Sequence, residues 1–191
     1  ERAGLTGLPQ NLYGMGVATG DIDNDGFVDL YVTGFGGTTL YRNRGDGTFA
    51  DITAQSGTGA AGWSSSAGFF DFDNDGKLDL FVGRYVEWSF ENNRYCGKAG
   101  LGTRAYCHPD NFKGIANILY RNNGDGTFTD VSSKAGIANP NGKTLGVAFA
   151  DYDRDGWTDI YVANDSVQCF LSRNKHDGTF EEVSLAAGAG F

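Results

Sequence analysis

The chain has 191 residues, a net charge of −9, 30 glycines, only 3 prolines and 14% aromatic residues. That length allows one domain with a real core, and a composition of this kind suits short strands joined by tight turns. No run of about 18 apolar residues is present to span a membrane, and no basic stripe offers to neutralise phosphates, which sets nucleic acid aside as a partner.

The chain opens Glu1-Arg2-Ala3, with neither an initiator Met nor the apolar core of a signal peptide, as expected of a mature form or a fragment. A strand is predicted over 15–20, leading into Asp21-Ile22-Asp23-Asn24-Asp25-Gly26-Phe27-Val28-Asp29. A second strand follows over 28–32 and a third over 39–43; the turn Gly45-Asp46-Gly47 then reverses the chain into 48–53. Asp-Gly between two apolar runs is a hairpin signal, because glycine accepts the positive φ of such turns.

The same order then repeats. Residues 66–70 lead into Asp71-Phe72-Asp73-Asn74-Asp75-Gly76-Lys77-Leu78-Asp79, with a strand over 79–82 and a long insertion before Ile118-Leu119-Tyr120 and the turn Asn123-Gly124-Asp125. Residues 145–150 lead into Asp151-Tyr152-Asp153-Arg154-Asp155-Gly156-Trp157-Thr158-Asp159, and the unit closes through Phe170-Leu171 and the turn at Asp177. From first loop Asp to turn Asp the spacing is 25, 54 and 26 residues, alike once the insertion is removed. Self-similarity at such a period implies a repeat architecture. Four short strands per unit, with an acidic loop after the first, is the layout of a propeller blade.

The expected fold is therefore all-β: blades of four antiparallel strands, three of them present. The units run 1–55, 56–133 (with an insertion at about 84–116) and 134–185, while 186–191 reads as the start of a fourth. Because propellers have four to eight blades, either the chain belongs to a larger propeller of about seven blades or copies associate edge to edge into a ring or filament.

Each acidic loop sets carboxylates at its first, third, fifth and ninth positions, and hard oxygens so spaced suit Ca²⁺. The expected ligands are the side chains of Asp21, Asp23, Asp25 and Asp29 with the Phe27 carbonyl; Asp71, Asp73, Asp75 and Asp79 with the Lys77 carbonyl; and Asp151, Asp153, Asp155 and Asp159 with the Trp157 carbonyl. An EF-hand is excluded, because its twelfth position needs a bidentate Glu and here holds Val32, Val82 or Val162. Mg²⁺ resists dehydration and demands a strict octahedron. The alternative, acidic turns without metal, would set four carboxylates against one another in each loop. The loops hold 12 of the 24 acidic residues, so three Ca²⁺ would bring the formal charge from −9 to about −3.

Cys96 and Cys107 lie eleven apart in the insertion, a spacing that suits a local disulfide in an oxidising compartment; reduced thiols are the alternative. Zinc is disfavoured, since His108 stands alone beside them and no CxxC occurs. Cys169 is expected as a buried free thiol. Aromatics mixed with arginines on a long loop make Trp88, Tyr95, Tyr106 and His108 the candidate contacts for a protein or carbohydrate partner, unless these rings simply form the loop's own core. Arg44-Gly45-Asp46 spells an adhesion tripeptide, but its Asp occupies the hairpin position of Asp125 and Asp177.

The DxDxDGxxDL loop with NxGDGTFxD resembles the FG-GAP/VCBS repeats of calcium-binding β-propellers, the family that includes the integrin α-subunit head. Trp88, Cys96, Tyr106-Cys107-His108-Pro109, Phe112-Lys113-Gly114, Leu119-Tyr120-Arg121-Asn122 and Val162-Ala163-Asn164-Asp165-Ser166 are similar to the cartilage-acidic-protein-like, ASPIC/UnbV-associated group. His108, where that group commonly has glycine, and Arg154 inside the third loop depart from it. The resemblance implies an extracellular, secreted, cell-surface or periplasmic module with a structural, adhesion or assembly role. No catalytic constellation is found. A second class, a carbohydrate-active propeller such as a polysaccharide lyase or sugar dehydratase, would need a metal with an open position beside a base.

Overall fold

The computed structural model describes residues 12–98, 100 and 102–190, and within them the chain is nearly all β. The first sheet is a simple meander of β1 (Tyr13–Gly20), β2 (Asp29–Phe35), β3 (Gly37–Asn43) and β4 (Phe49–Asp51). The second holds β5 (Ser64–Phe70) and β6 (Asp79–Arg84). After an excursion carrying the hairpin β7 (Cys96–Lys98) and β8 (Thr103–Ala105), it resumes with β9 (Ile118–Asn122) and β10 (Phe128–Asp130). The third is again a meander, of β11 (Thr144–Ala150), β12 (Asp159–Asn164), β13 (Phe170–Asn174) and β14 (Phe180–Glu182). All pairings are antiparallel, and each first strand carries a register shift at the same place, between Gly14 and Gly16, Ser64 and Ser66, and Thr144 and Gly146. These are propeller-like blades. The residues predicted as a fourth repeat lie at 186–191, where 186–188 end a turn that begins at 184 and 191 falls outside the described residues.

Two apolar layers hold the three sheets together, and both lie between sheets. Ala18, Ile22, Tyr31 and Leu40 of the first unit meet Leu80, Val82 and Tyr120 of the second. On the opposite face of the second sheet, Phe70, Phe72, Phe81 and Leu119 meet Ile160, Val162 and Phe180 of the third. Strand alternation explains this, since successive side chains point to opposite faces and the middle sheet must be apolar on both. The inner strands approach closely: a Cβ on Gly68 would lie 2.2 Å from the Phe149 ring, so only glycine fits there.

Among the described residues, the outer sheets are covered on one face only. On β1, Tyr13, Met15 and Val17 are 63%, 51% and 61% exposed, whereas Ala67, at the position of Val17 in the second sheet, packs into the layer between sheets.

The last strand of each unit is shorter than the sequence suggests. Over 48–53 only Phe49–Asp51 is strand, and a single helical turn, α1 (Thr53–Ser56), follows. Asp51, Asp130 and Glu182 account for the stop. Each accepts the backbone N–H of the residue two along, at 2.9, 2.9 and 2.8 Å, and also that residue's hydroxyl. The hydroxyl oxygens of Thr53, Ser132 and Ser184 then accept the N–H of Leu40, Leu119 and Leu171 at 2.8, 2.9 and 2.6 Å. Such local side-chain bonds compete with the ladder and end it. Cys169 is half-buried and free, one residue before β13, rather than buried within it.

Candidate metal centres

Each acidic loop joins the first two strands of its sheet, and its backbone is folded by its own carboxylates. Asp21 accepts the N–H groups of Asp25 (3.1 Å) and Gly26 (2.8 Å), and Asp71 and Asp151 do the same in their loops. Gly26, Gly76 and Gly156 have φ of 88°, 83° and 91°, a region glycine enters without a Cβ penalty. The ninth-position carboxylate bridges loop and strand. Asp29 accepts from Ile22 N–H (3.0 Å) and Asn43 N–H (2.7 Å), Asp79 from Phe72 (3.1 Å) and Asn122 (2.8 Å), and Asp159 from Tyr152 (3.0 Å) and Asn174 (2.8 Å).

Folded this way, the loops bring together three carboxylates each: Asp21, Asp23 and Asp29; Asp71, Asp73 and Asp79; Asp151, Asp153 and Asp159. One oxygen from every member lies within 4.8 Å of the others in its cluster. The fifth-position residues stand outside these clusters. Asp25, Asp75 and Asp155 accept the N–H of Phe27 (2.9 Å), Lys77 (3.0 Å) and Trp157 (2.9 Å). Their other oxygens face basic side chains: Arg42 at 3.7 Å from Asp25, Lys77 Nζ at 2.7 Å from Asp75 and His176 Nε2 at 2.7 Å from Asp155. The ring of Trp157 stacks on that His176 with centroids 4.8 Å apart.

The donor set fits a hard divalent cation. In the first two loops one oxygen of each cluster, Asp23 Oδ1 and Asp73 Oδ1, is buried with no hydrogen-bond partner. An unmet buried carboxylate oxygen is costly, and a cation is its natural complement. The protonation balance agrees. Burial, with Asp73 and Asp75 adding like charge, pushes the Asp79 carboxyl up to about 7 against the N–H bonds from Asn122 and Phe72. Burial likewise raises Asp29 and Asp159. So much negative charge drawn out of water calls for a positive partner.

Two residue types at these sites carry no signal in the loop motif itself. Arg42 reaches Asp23 at 2.5 Å, and Arg121 reaches Asp73 at 2.8 Å and Asp75 at 3.6 Å. In the third unit the equivalent Arg173 pairs with Glu181 at 2.9 Å instead. Beside each arginine stands Asn43, Asn122 or Asn174, whose side chain accepts a turn N–H and donates to the carbonyl of Val28, Leu78 or Thr158. Asn122 and Asn174 also cross between sheets, donating to the carbonyls of Ile22 and Phe72 in the preceding unit, both at 2.8 Å. The Arg-Asn pair recurs in every unit with its arginine four residues before the turn Asp (Asp46, Asp125 and Asp177), which is the signal that could have marked it.

Among the residues predicted for partner contact, Trp88 and Tyr106 line one cavity, whereas Tyr95 and His108 do not. Tyr95 donates its hydroxyl to the Thr103 carbonyl (3.0 Å), and His108 caps a 3-10 turn, Pro109–Asn111. Cys96 and Cys107 are bonded, across the β7–β8 hairpin. Asp46 accepts the N–H (2.9 Å) and hydroxyl (2.6 Å) of Thr48, as Asp125 does from Thr127 and Asp177 from Thr179, so the tripeptide aspartate is a turn residue. No helix among the described residues is long and apolar enough to cross a membrane.

Cartilage acidic protein 1 of Xenopus tropicalis is 26% identical over 201 aligned positions, covering 78% of this chain and 31% of that protein. Its human counterpart is 48% identical over 48 residues, 25% of this chain and 7% of that protein. The chain thus spans less than a third of the curated relatives it matches. A solved structure described as showing recognition of non-reducing terminal N-acetylglucosamine by an Agrocybe aegerita lectin covers 94% of this chain and 56% of its own, at 19% identity. Its TM-score of 0.27 is too low to carry an argument about fold or ligand. The FG-GAP-like repeat family matches residues 21–82 and 116–162, which take in all three acidic loops and the strands that follow them. With more than half its residues so matched and its sheets arranged as blades, the chain belongs to the FG-GAP-like repeat family.

Proposed function

We propose that this chain is a calcium-stabilised segment of an extracellular β-propeller with a structural, adhesion or assembly role. The observation that carries the reading is the threefold recurrence of a carboxylate cluster at one place in each sheet, with a buried, partnerless oxygen in two of the three. The ligands would be Asp21, Asp23 and Asp29, Asp71, Asp73 and Asp79, and Asp151, Asp153 and Asp159, completed by Asp25, Asp75 and Asp155 and by the carbonyls of Phe27, Lys77 and Trp157. Bound Ca²⁺ would supply charge neutralisation and hold each loop in shape. The chain's own residues do the rest: Asp29, Asp79 and Asp159 couple loop to strand, and Asn122 and Asn174 couple one blade to the next. Millimolar extracellular calcium would fill even weak sites of this kind.

Blades over 1–55, 56–133 and 134–185, with a further repeat beginning at 186–191, fit this reading. The apolar face of β1, exposed among the described residues, favours packing against another sheet of the same kind, from a longer chain or a second copy, because contiguous exposed apolar area marks an interface. Calorimetric titration of chelator-treated protein with Ca²⁺, paired with thermal unfolding, tests the proposal. The expected result is about three sites and a rise in melting temperature. No heat of binding together with an unchanged melting temperature would refute it.

A further inference from the structure

The excursion between β6 and β9 builds a cavity that the metal sites leave unused. Its volume is about 710 Å³, within the size range of small-molecule sites. It is walled by Trp63, Tyr85 and Trp88, with Arg94, Arg104 and Tyr106 on the hairpin side. The aromatic walls pack on one another. Trp63 meets Tyr85 at 5.1 Å and Trp88 at 6.1 Å between ring centroids, both edge to face, and the Tyr85 hydroxyl is anchored on Asp165 at 2.5 Å. The insertion itself is fastened to the third sheet by Lys143 Nζ on Asp110 at 2.9 Å.

Two features of this cavity call for a ligand. First, its lining contains no acidic residue, yet it holds two arginines, and neither has a carboxylate within ion-pair distance among the described residues. In a chain of net charge −9, two exposed arginines lining one cavity without an acid are an anion-recognising element. Second, Tyr106 is fully exposed, with a ring packed against nothing, while the indole N–H of Trp63 is buried without an acceptor. An exposed ring beside two cations and aromatic walls suits a ligand with a C–H face for stacking, a polar rim and a negative charge. The cavity is open to water, which suits a hydroxyl-bearing ring rather than a wholly apolar one.

We propose that the cavity under the Cys96–Cys107 hairpin binds an acidic carbohydrate through uronic-acid residues, with Arg94 and Arg104 holding the carboxylates and Trp88 and Tyr106 stacking on the sugar rings. This goes beyond the calcium reading and does not rest on it: a protein that binds no calcium but binds the sugar leaves the inference standing. The test is tryptophan fluorescence titration of the full chain with trigalacturonate, with free Ca²⁺ clamped by buffer because uronates bind calcium themselves. Fully methyl-esterified trigalacturonate presents the same rings uncharged, and tetraglutamate presents the charge without a sugar. The expected result is saturable binding of trigalacturonate alone, weakened about tenfold by Arg94→Gln, Arg104→Gln or Tyr106→Ala. These three side chains are exposed, so unchanged melting temperatures should show that the variants fold. Equal binding of the ester would overturn the role of the arginines, and equal binding of tetraglutamate would point to an acidic peptide instead. Absence of binding at millimolar trigalacturonate, or binding that the three variants leave unaltered, would overturn the proposal.

Discussion

Asn122 and Asn43 occupy the same position in successive repeats, and replacing each with alanine separates the joint between blades from the turn within one. The Asn122 side chain is buried; it donates to the Ile22 carbonyl (2.8 Å) and the Leu78 carbonyl (3.0 Å), and it accepts Gly124 N–H at 2.9 Å. Among the described residues the Asn43 side chain makes two local bonds, to the Val28 carbonyl (3.0 Å) and from Gly45 N–H (3.0 Å), both exposed. A neutral hydrogen bond contributes about 1 kcal/mol net, and an acceptor left buried and unmet costs about 1–3 kcal/mol more. Asn122→Ala strands the Ile22 carbonyl in the layer between sheets, so its cost is about 3 kcal/mol, whereas water replaces what Asn43→Ala removes at about 1 kcal/mol. For a chain of this size the difference corresponds to roughly 4–8 °C in melting temperature. Urea unfolding of the two variants and the parent, in saturating calcium, measures it directly. Asn174→Ala should behave like Asn122→Ala, because it makes the equivalent bond to the Phe72 carbonyl at 2.8 Å. Equal losses at Asn43 and Asn122, within about 0.5 kcal/mol, would show that the bond between sheets adds nothing beyond the turn.

Three further outcomes are expected. Gly114→Ala places a Cβ 1.9 Å from the Gly142 carbonyl oxygen, so the insertion should lift from the third sheet and trypsin should cleave it faster at the exposed Arg94 and Arg104. Reducing the Cys96–Cys107 bond should loosen that same segment without unfolding the sheets; loop-entropy arithmetic for its eleven-residue separation gives about 3 kcal/mol, to be read from hydrogen exchange confined to the insertion. Arg154 holds φ of 64° where the other loops have Asn24 and Asn74, both at 56°, so Arg154→Asn should raise stability by about 0.5 kcal/mol in urea unfolding, while a loss would show that the arginine has another task.

The fold was legible in the sequence because it is written three times over. A single Asp-rich loop is ambiguous with an EF-hand, but three copies with valine at the twelfth position and alternating flanks leave a strand–loop–strand unit. The ladder ends were harder to place. Asp51, Asp130 and Glu182 look like solvated edge residues until the hydroxyls they hold are seen to accept a leucine N–H from the adjacent strand, a contact with no local pattern. At the site, the first, third and ninth carboxylates come together as their spacing suggests. The fifth stands apart from them, its free oxygen facing Arg42 in the first loop, Lys77 of the same loop in the second and the His176 ring in the third. Arg42 and Arg121 were invisible to loop chemistry for the converse reason: they act from β3 and β9, and only the pairing of strands returns them to the loop. The cavity under the hairpin draws on Trp63 and Trp88 from either side of β6, a juxtaposition that sequence separation conceals.

The loops are not independent of one another, and this has a measurable consequence. Asn24 in the first loop donates to the Gly76 carbonyl of the second at 3.2 Å, and Asn122, whose N–H rests on Asp79, donates to the Ile22 carbonyl of the first at 2.8 Å. A cation that fixes Asp79 therefore also fixes the strand residue on which the first loop hangs, so calcium at one site should favour calcium at the next. Allosteric couplings of this type start at about fivefold. The cycle that measures it compares first-loop affinity in the parent with that in Asp73→Asn, which disables the second site while keeping Asp79 and its two backbone bonds, and repeats both in Asn24→Ala. First-loop affinity should fall about fivefold with Asp73→Asn, and by less when Asn24→Ala has already cut one tie. If Asp73→Asn leaves the first loop's affinity unchanged, the blades bind calcium separately, and the bonds between them serve packing alone.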